Sequence, residues 1–163
     1  MDAQNRGDFE LDIPINHNFH QKVGEKVLKW ESTLPREYWE YRKRWEENPK
    51  NQVLEPFPIH LDIEATSSCN LKCVMCPRTE LVNQGLFWKV QHFDFEVYKR
   101  LIDEGVENGL SSVKYNYLGE PLQQPRLIEM IEYAKEKGII DVQFNTNAVL
   151  LRESISRRLI KSG

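Results

Sequence analysis

No run in this 163-residue chain approaches the ~20 apolar residues that a membrane-spanning helix needs. One sign of charge is equally lacking: 22 Lys and Arg stand against 25 Asp and Glu, for a net charge of -3. The densest charged stretch, EYWEYRKRWEE at 37–47, interleaves both signs. That excludes the one-signed stripe on which nucleic-acid or anionic-lipid binding rests. The first residues, MDAQNRGDFELDIP, lack the basic-then-apolar order of a secretory signal, so the cytoplasm is the expected compartment. Internal repeats and low-complexity tracts are also missing. Cysteine is scarce, and all three cysteines fall within CNLKCVMC at 69–76. In a cytoplasmic protein an odd, clustered set argues against a disulfide framework and for metal binding or reactivity.

What is present reads as a folded α/β domain behind a helical lead-in, with 40% hydrophobic and 29% charged residues. Residues 1–55 read as a helical N-terminal extension and linker. Helices are expected at about 19–31 and 35–47, then a proline-bearing linker at 48–58. In the second helix Leu34, Tyr38, Tyr41 and Trp45 share a face and suggest packing against a larger body. From Ile59 the pattern alternates. IHLDIEAT (59–66) reads as a strand, with His60, Asp62 and Glu64 on one face. A helix over 93–109 follows, with Asp94 as cap and Gly109 as stop. Strand 111–120, helix 125–138 ended by Gly138, strand 139–148 and helix 152–163 complete the order β-α-β-α-β-α. Units of this length build a parallel sheet.

Parallel strands bring their C-terminal ends to one rim, where ligand sites form in such folds. Each expected strand ends in an unusual polar segment: the cysteine loop, then Gly119-Glu120-Pro121, then Asn145-Thr146-Asn147. Three in succession point to a site. For Cys69, Cys73 and Cys76 themselves, three readings stand. They are small buried apolar residues, or three ligands of a four-coordinate zinc completed by His92, or ligands of an iron–sulfur cluster. Three thiolates on a four-iron cluster leave one iron open, and open positions are where metal sites do chemistry. Alternation places Asn145 and Asn147 on the same face and Thr146 on the other.

ATSSCNLKCVMC resembles the first strand and cluster loop of radical S-adenosylmethionine (SAM) enzymes, whose pattern is C-x3-C-x-Φ-C. The resemblance covers about Ile59 to Gly163. It implies that Cys69, Cys73 and Cys76 ligate three irons of a [4Fe-4S] cluster and that SAM chelates the fourth. Met75, at the Φ position, would lie near the adenine. Gly119 and Glu120 match the family's Gly-Gly-Glu-Pro motif, with Glu120 holding the methionine amino group. Asn145 and Asn147 match the Thr-Asn-Gly segment beside the cofactor. Two positions depart from the family pattern: Leu118 replaces the first glycine of the pair, and Ala148 replaces the glycine of Thr-Asn-Gly.

The implied fold is the N-terminal part, about three β/α units, of a partial TIM-like (β/α)6 barrel over residues 56–163. The remaining barrel half is expected in the same or a partner chain, so that this chain is a fragment, a truncated product or half of a split protein. A SPASM-type C-terminal domain with auxiliary clusters is one form that the remainder takes in the family. The implied activity is reductive SAM cleavage to a 5'-deoxyadenosyl radical that abstracts hydrogen from a peptide or small-molecule substrate. Its electron donor would resemble flavodoxin or ferredoxin. The alternatives are a zinc- or cluster-binding interaction module and an inactive fragment. Nucleic acid and membrane are not expected partners.

Overall fold

The computed structural model describes residues 29, 30, 32–86 and 89–163. The chain forms two compact units, Met1–Leu34 and Pro35–Gly163. In the first, a turn places the Thr33 amide and hydroxyl on the Trp30 carbonyl. The helix expected at 19–31 lies almost wholly outside the described residues.

In the second unit a three-stranded parallel sheet runs in the order β1 (His60–Asp62), β2 (Ser112–Lys114), β3 (Asp141–Gln143). In its register His60 pairs with Ser112 and Ser112 with Asp141. Helix α1 (Arg36–Lys50) precedes the sheet, and α2 (Pro77–Asn83) and α3 (Phe95–Glu107) connect β1 to β2. Helix α4 (Leu127–Glu136) connects β2 to β3, and α5 (Glu153–Ser162) follows. This is the expected α/β order with one helix more.

Alternation sorts the sheet into two faces. Leu61, Ile63, Ala65, Val113, Tyr115, Val142 and Phe144 join the apolar core with Tyr98, Ile102, Leu127, Met130, Ile131 and Ala134 of the helices. His60, Asp62 and Glu64, with Ser112, Lys114 and Asn116, take the opposite parity and form a polar face. There the His60 ring meets the Ser112 hydroxyl at 2.9 Å, and Lys114 lies 3.5 Å from Asp62. Burial holds the His60 pKa below its usual value, and Asp62 opposes the shift. Within the core the Tyr98 hydroxyl meets that of Tyr115 and donates to the Met130 carbonyl at 2.8 Å. Burial pushes both phenols far above their usual range, so both stay neutral.

The helix ends follow the sequence signals. The Asp94 carboxylate accepts the Val97 amide at 2.9 Å, as an N-cap should. Gly109 and Gly138 adopt φ of +92° and +94° just beyond α3 and α4. Helix α1 runs on to Lys50 rather than stopping at 47, with Pro49 inside its last turn. The Asn51 amide still reaches the Glu47 carbonyl, and Asn48 and Arg44 both donate to Glu55. These bonds hold the helix end in place despite the donor that Pro49 lacks.

The strands are shorter than their alternation suggested. The ladder continues by one bond from Ile63 to the Lys114 carbonyl and one from Tyr115 to the Gln143 carbonyl. Beyond that point side chains take several of the backbone donors. Leu118 and Gly119 donate to Glu64, Asn145 to Asn116, and Asn147 to Glu120. Polar side chains at strand ends compete with the ladder in this way.

Candidate active site at the strand ends

The cysteine loop leaves β1 and ends in α2. Cys76 sits at the N-cap position and Pro77 opens the helix, where a missing amide donor costs nothing. That proline is the signal by which α2 was findable in the sequence. The loop is held from several sides. Buried Arg78 donates to the Ser67 carbonyl at 2.9 Å, and the Cys76 amide closes a turn on the Cys73 carbonyl at 3.1 Å. Residues 91–93 strap its start: Ser67 bonds to the Gln91 carbonyl and Phe93 to the Ala65 carbonyl.

All three thiols are free, with Cys73 exposed and Cys69 and Cys76 half-buried. Buried apolar cysteines are thereby excluded. Among the described residues no three His, Cys, Asp or Glu side chains are gathered into a metal-holding group. His92, the expected fourth ligand of a zinc site, instead places Nδ1 2.9 Å from the Thr66 hydroxyl. Three thiols on one loop, with no fourth donor gathered beside them among the described residues, suit a cluster that leaves one iron open. They do not suit a closed tetrahedral ion. Thiolates repel one another unless a metal neutralises them, so their approach accompanies metal loading.

Glu120 stands beside this loop and is only 3% exposed. Its backbone amide donates to the Ser68 carbonyl at 2.7 Å, tying it to the residue before Cys69. Its carboxylate accepts the Thr146 hydroxyl at 2.6 Å, the Asn147 amide at 2.9 Å and the Leu122 amide at 3.1 Å. All three donors are neutral. A carboxylate offers about four acceptor sites, which leaves capacity for a further donor. A cationic ammonium would suit it.

Asn147 joins all three segments. Its amide bonds Glu120, its Nδ2 donates to Asn70 Oδ1 in the cysteine loop at 2.9 Å, and its Oδ1 accepts the Val149 amide. Asn145 contributes its backbone amide to Asn116, and its side chain is exposed. Thr146 corrects the sequence reading: it does not face away but touches Glu120. The cause is that β3 ends at Gln143, so period-two alternation no longer applies at 146. Met75 is 87% exposed at the rim and joins no core.

The two departures from the expected glycines have different outcomes. At Gly119 an added Cβ would lie 1.7 Å from the Thr66 carbonyl oxygen, so space demands glycine there. At the neighbouring position Leu118 is accommodated. Ala148 adopts φ of +59°, the left-handed region that costs a non-glycine residue roughly 1–2 kcal/mol. Ala148→Gly is therefore expected to stabilise the protein by about 0.5–1 kcal/mol after glycine's larger unfolded-state entropy is counted. Urea unfolding measures this, and a loss of stability would show that the turn does not strain alanine.

Sequence reasoning placed Glu64 on the polar strand face without a role and passed over Asn70, Ser68 and Arg78. Glu64, Ser68 and Asn70 act through contacts with segments distant in sequence, and Arg78 through the Ser67 carbonyl at the start of its own loop. No helix among the described residues is long and apolar enough to cross a membrane.

Comparison with known proteins gives the same answer as this geometry. The family model described as the radical SAM superfamily matches residues 63–163. The tungsten-containing aldehyde ferredoxin oxidoreductase cofactor-modifying protein of Pyrococcus furiosus is 26% identical over 107 residues, covering 64% of this chain and 28% of that protein. The GTP 3',8-cyclase of Thermodesulfovibrio yellowstonii is 29% identical over 98 residues, covering 58% and 29% respectively. The chain thus spans less than a third of the length of these curated relatives. Streptococcus suis SuiB, solved bound to S-adenosylmethionine, shares the fold with a TM-score of 0.56 at 22% identity, covering 90% of this chain and 30% of that one. The chain belongs to the radical SAM superfamily, whose enzymes use a [4Fe-4S] cluster and S-adenosylmethionine, and supplies the N-terminal portion of its TIM-like barrel.

Proposed function

We propose that the protein acts in reductive cleavage of S-adenosylmethionine, with Cys69, Cys73 and Cys76 as the thiolates that hold the cluster. When bound, the cluster would supply the electron for reductive cleavage of the carbon–sulfur bond of SAM, the route to methionine and a 5'-deoxyadenosyl radical able to take hydrogen from a peptide or small-molecule substrate. The chain's own work is positioning and electrostatics. Glu120 accepts a proton-bearing nitrogen of the methionine ammonium and keeps it paired as water leaves. Gly119 lets the backbone lie close to the cysteine loop, and Asn147 holds the β3 end against that loop. Met75 flanks the adenine, and Asn145 lines the third strand end. A flavodoxin- or ferredoxin-like donor in the cytoplasm supplies the electron.

The observation that carries this reading is the linkage of three strand ends around one residue, Glu120. Glu120 is bonded to the residue before Cys69 and to both Thr146 and Asn147. Anaerobic reconstitution with iron and sulfide should give a brown protein with about four irons per chain, as a cubane cluster requires. Its reduced electron paramagnetic resonance spectrum should change when SAM is added, and reductant should then release 5'-deoxyadenosine. A colourless protein holding one zinc per chain, or a spectrum indifferent to SAM, would overturn the reading.

A further inference from the structure

Glu64 has no role in the site as described so far, yet both its carboxylate oxygens are bonded to the loop that carries Glu120. It is half-buried between the buried Ile63 and Ala65, on the polar face of the sheet. One oxygen accepts the Leu118 amide at 2.6 Å and the other accepts the Gly119 amide at 3.0 Å. The next amide, that of Glu120, goes to the Ser68 carbonyl at 2.7 Å. Three successive amides of the loop after β2 are therefore bonded to the end of β1 and the start of the cysteine loop. Gly119 lies between them, with the Thr66 carbonyl and a Glu64 oxygen both close to the place a side chain would take.

We propose that Glu64 is a positioning residue: its carboxylate fixes the Leu118-Gly119 backbone and thereby aims the Glu120 carboxylate at its ligand. Two features of the chemistry favour a carboxylate here. Only an ionised carboxylate offers two acceptor oxygens to two adjacent amides and no donor to oppose them. Charge-assisted bonds of this kind are roughly twice as strong as neutral ones. Glutamine would keep one acceptor and turn an NH2 group toward the other amide. Aspartate would keep the charge but withdraw it by one methylene. The preceding residue of that parity, Asp62, is exposed and engaged by Lys114. It cannot substitute.

The inference rests on the reading that Glu120 receives SAM, and its test separates the two. In Glu64→Gln, the Leu118 and Gly119 amides should exchange with deuterium at least about 10-fold faster while core amides are unchanged, since their protection is local. The reconstituted full chain should keep its iron content but bind SAM about 10-fold more weakly by equilibrium dialysis. Glu120→Gln should weaken SAM binding in the wild-type background and much less in Glu64→Gln, because coupled residues are not additive. Glu64→Asp, which retains the charge, should weaken SAM binding similarly and stands in if the Gln variant does not fold. Unchanged exchange of both amides, SAM binding within twofold of wild type, or full additivity with Glu120→Gln would each overturn the proposal for Glu64. If the iron-loaded wild type and Glu120→Gln bind SAM alike, the reading of Glu120 fails instead. The exchange rates then still show whether Glu64 positions this loop.

Discussion

Gly119→Ala is expected to destabilise the protein by about 3 kcal/mol or more, the upper range for overpacking a closed site. The added methyl would sit 1.7 Å from the Thr66 carbonyl oxygen and 2.8 Å from its carbon, both backbone atoms that no rotamer change can move aside. The strain falls on a crowded place. Thr66 is 1% exposed, its hydroxyl accepts the Ser68 amide, and its neighbour Ala65 is buried in the core. Moving the loop instead would break the bonds from Leu118 and Gly119 to Glu64 and from Glu120 to Ser68. Either way the variant should also lose SAM binding. Gly119 has no left-handed φ, so its glycine answers a need for room and not for an unusual backbone conformation. Urea unfolding is the direct check. A variant within about 0.5 kcal/mol of wild type, the range of an ordinary surface change, would show that the loop can retreat freely.

Cys73→Ala should have the opposite profile, with function lost and the fold kept. Cys73 is an exposed free thiol on a loop and has no place in the core. Truncating it should shift stability by no more than about 0.5 kcal/mol. With one thiolate fewer, the reconstituted protein should hold less iron, and 5'-deoxyadenosine release should fall by more than about 100-fold. That exceeds the 10- to 100-fold typical of residues that only support metal ligands. Release at the wild-type rate would remove Cys73 from the ligand set. Measured together, the two variants separate a residue required by packing from one required by chemistry.

The three segments that meet at the rim were legible because their patterns are local. C-x3-C-x2-C is a contiguous pattern, and Glu120 is marked by the glycine before it and the proline after it. The capping of α3 by Asp94 and the stops at Gly109 and Gly138 were legible for the same reason, since caps depend on residues within one turn. The missed contacts share the opposite property. Glu64 meets Leu118 and Gly119 across 54 and 55 positions, and Asn147 meets Asn70 across 77. The strand ends were overextended because alternation continues in the sequence after the ladder has stopped. Polar side chains and the 91–93 segment, more than the sheet ladder, hold the backbone there.

The sequence by itself determined the α/β order, the polar and apolar faces of the sheet, and the three segments that meet at its rim. Residue type and spacing suffice for these, because period and capping are properties of neighbours along the chain. Only the tertiary structure decided that Thr146 turns toward Glu120, that the second glycine position is closed to any side chain, and that Ala148 takes a left-handed turn. It also decided that Glu64 binds the loop carrying Glu120. The contacts of Thr146, Gly119 and Glu64 each join atoms from different strand ends, and those distances exist only once the strands have been brought side by side.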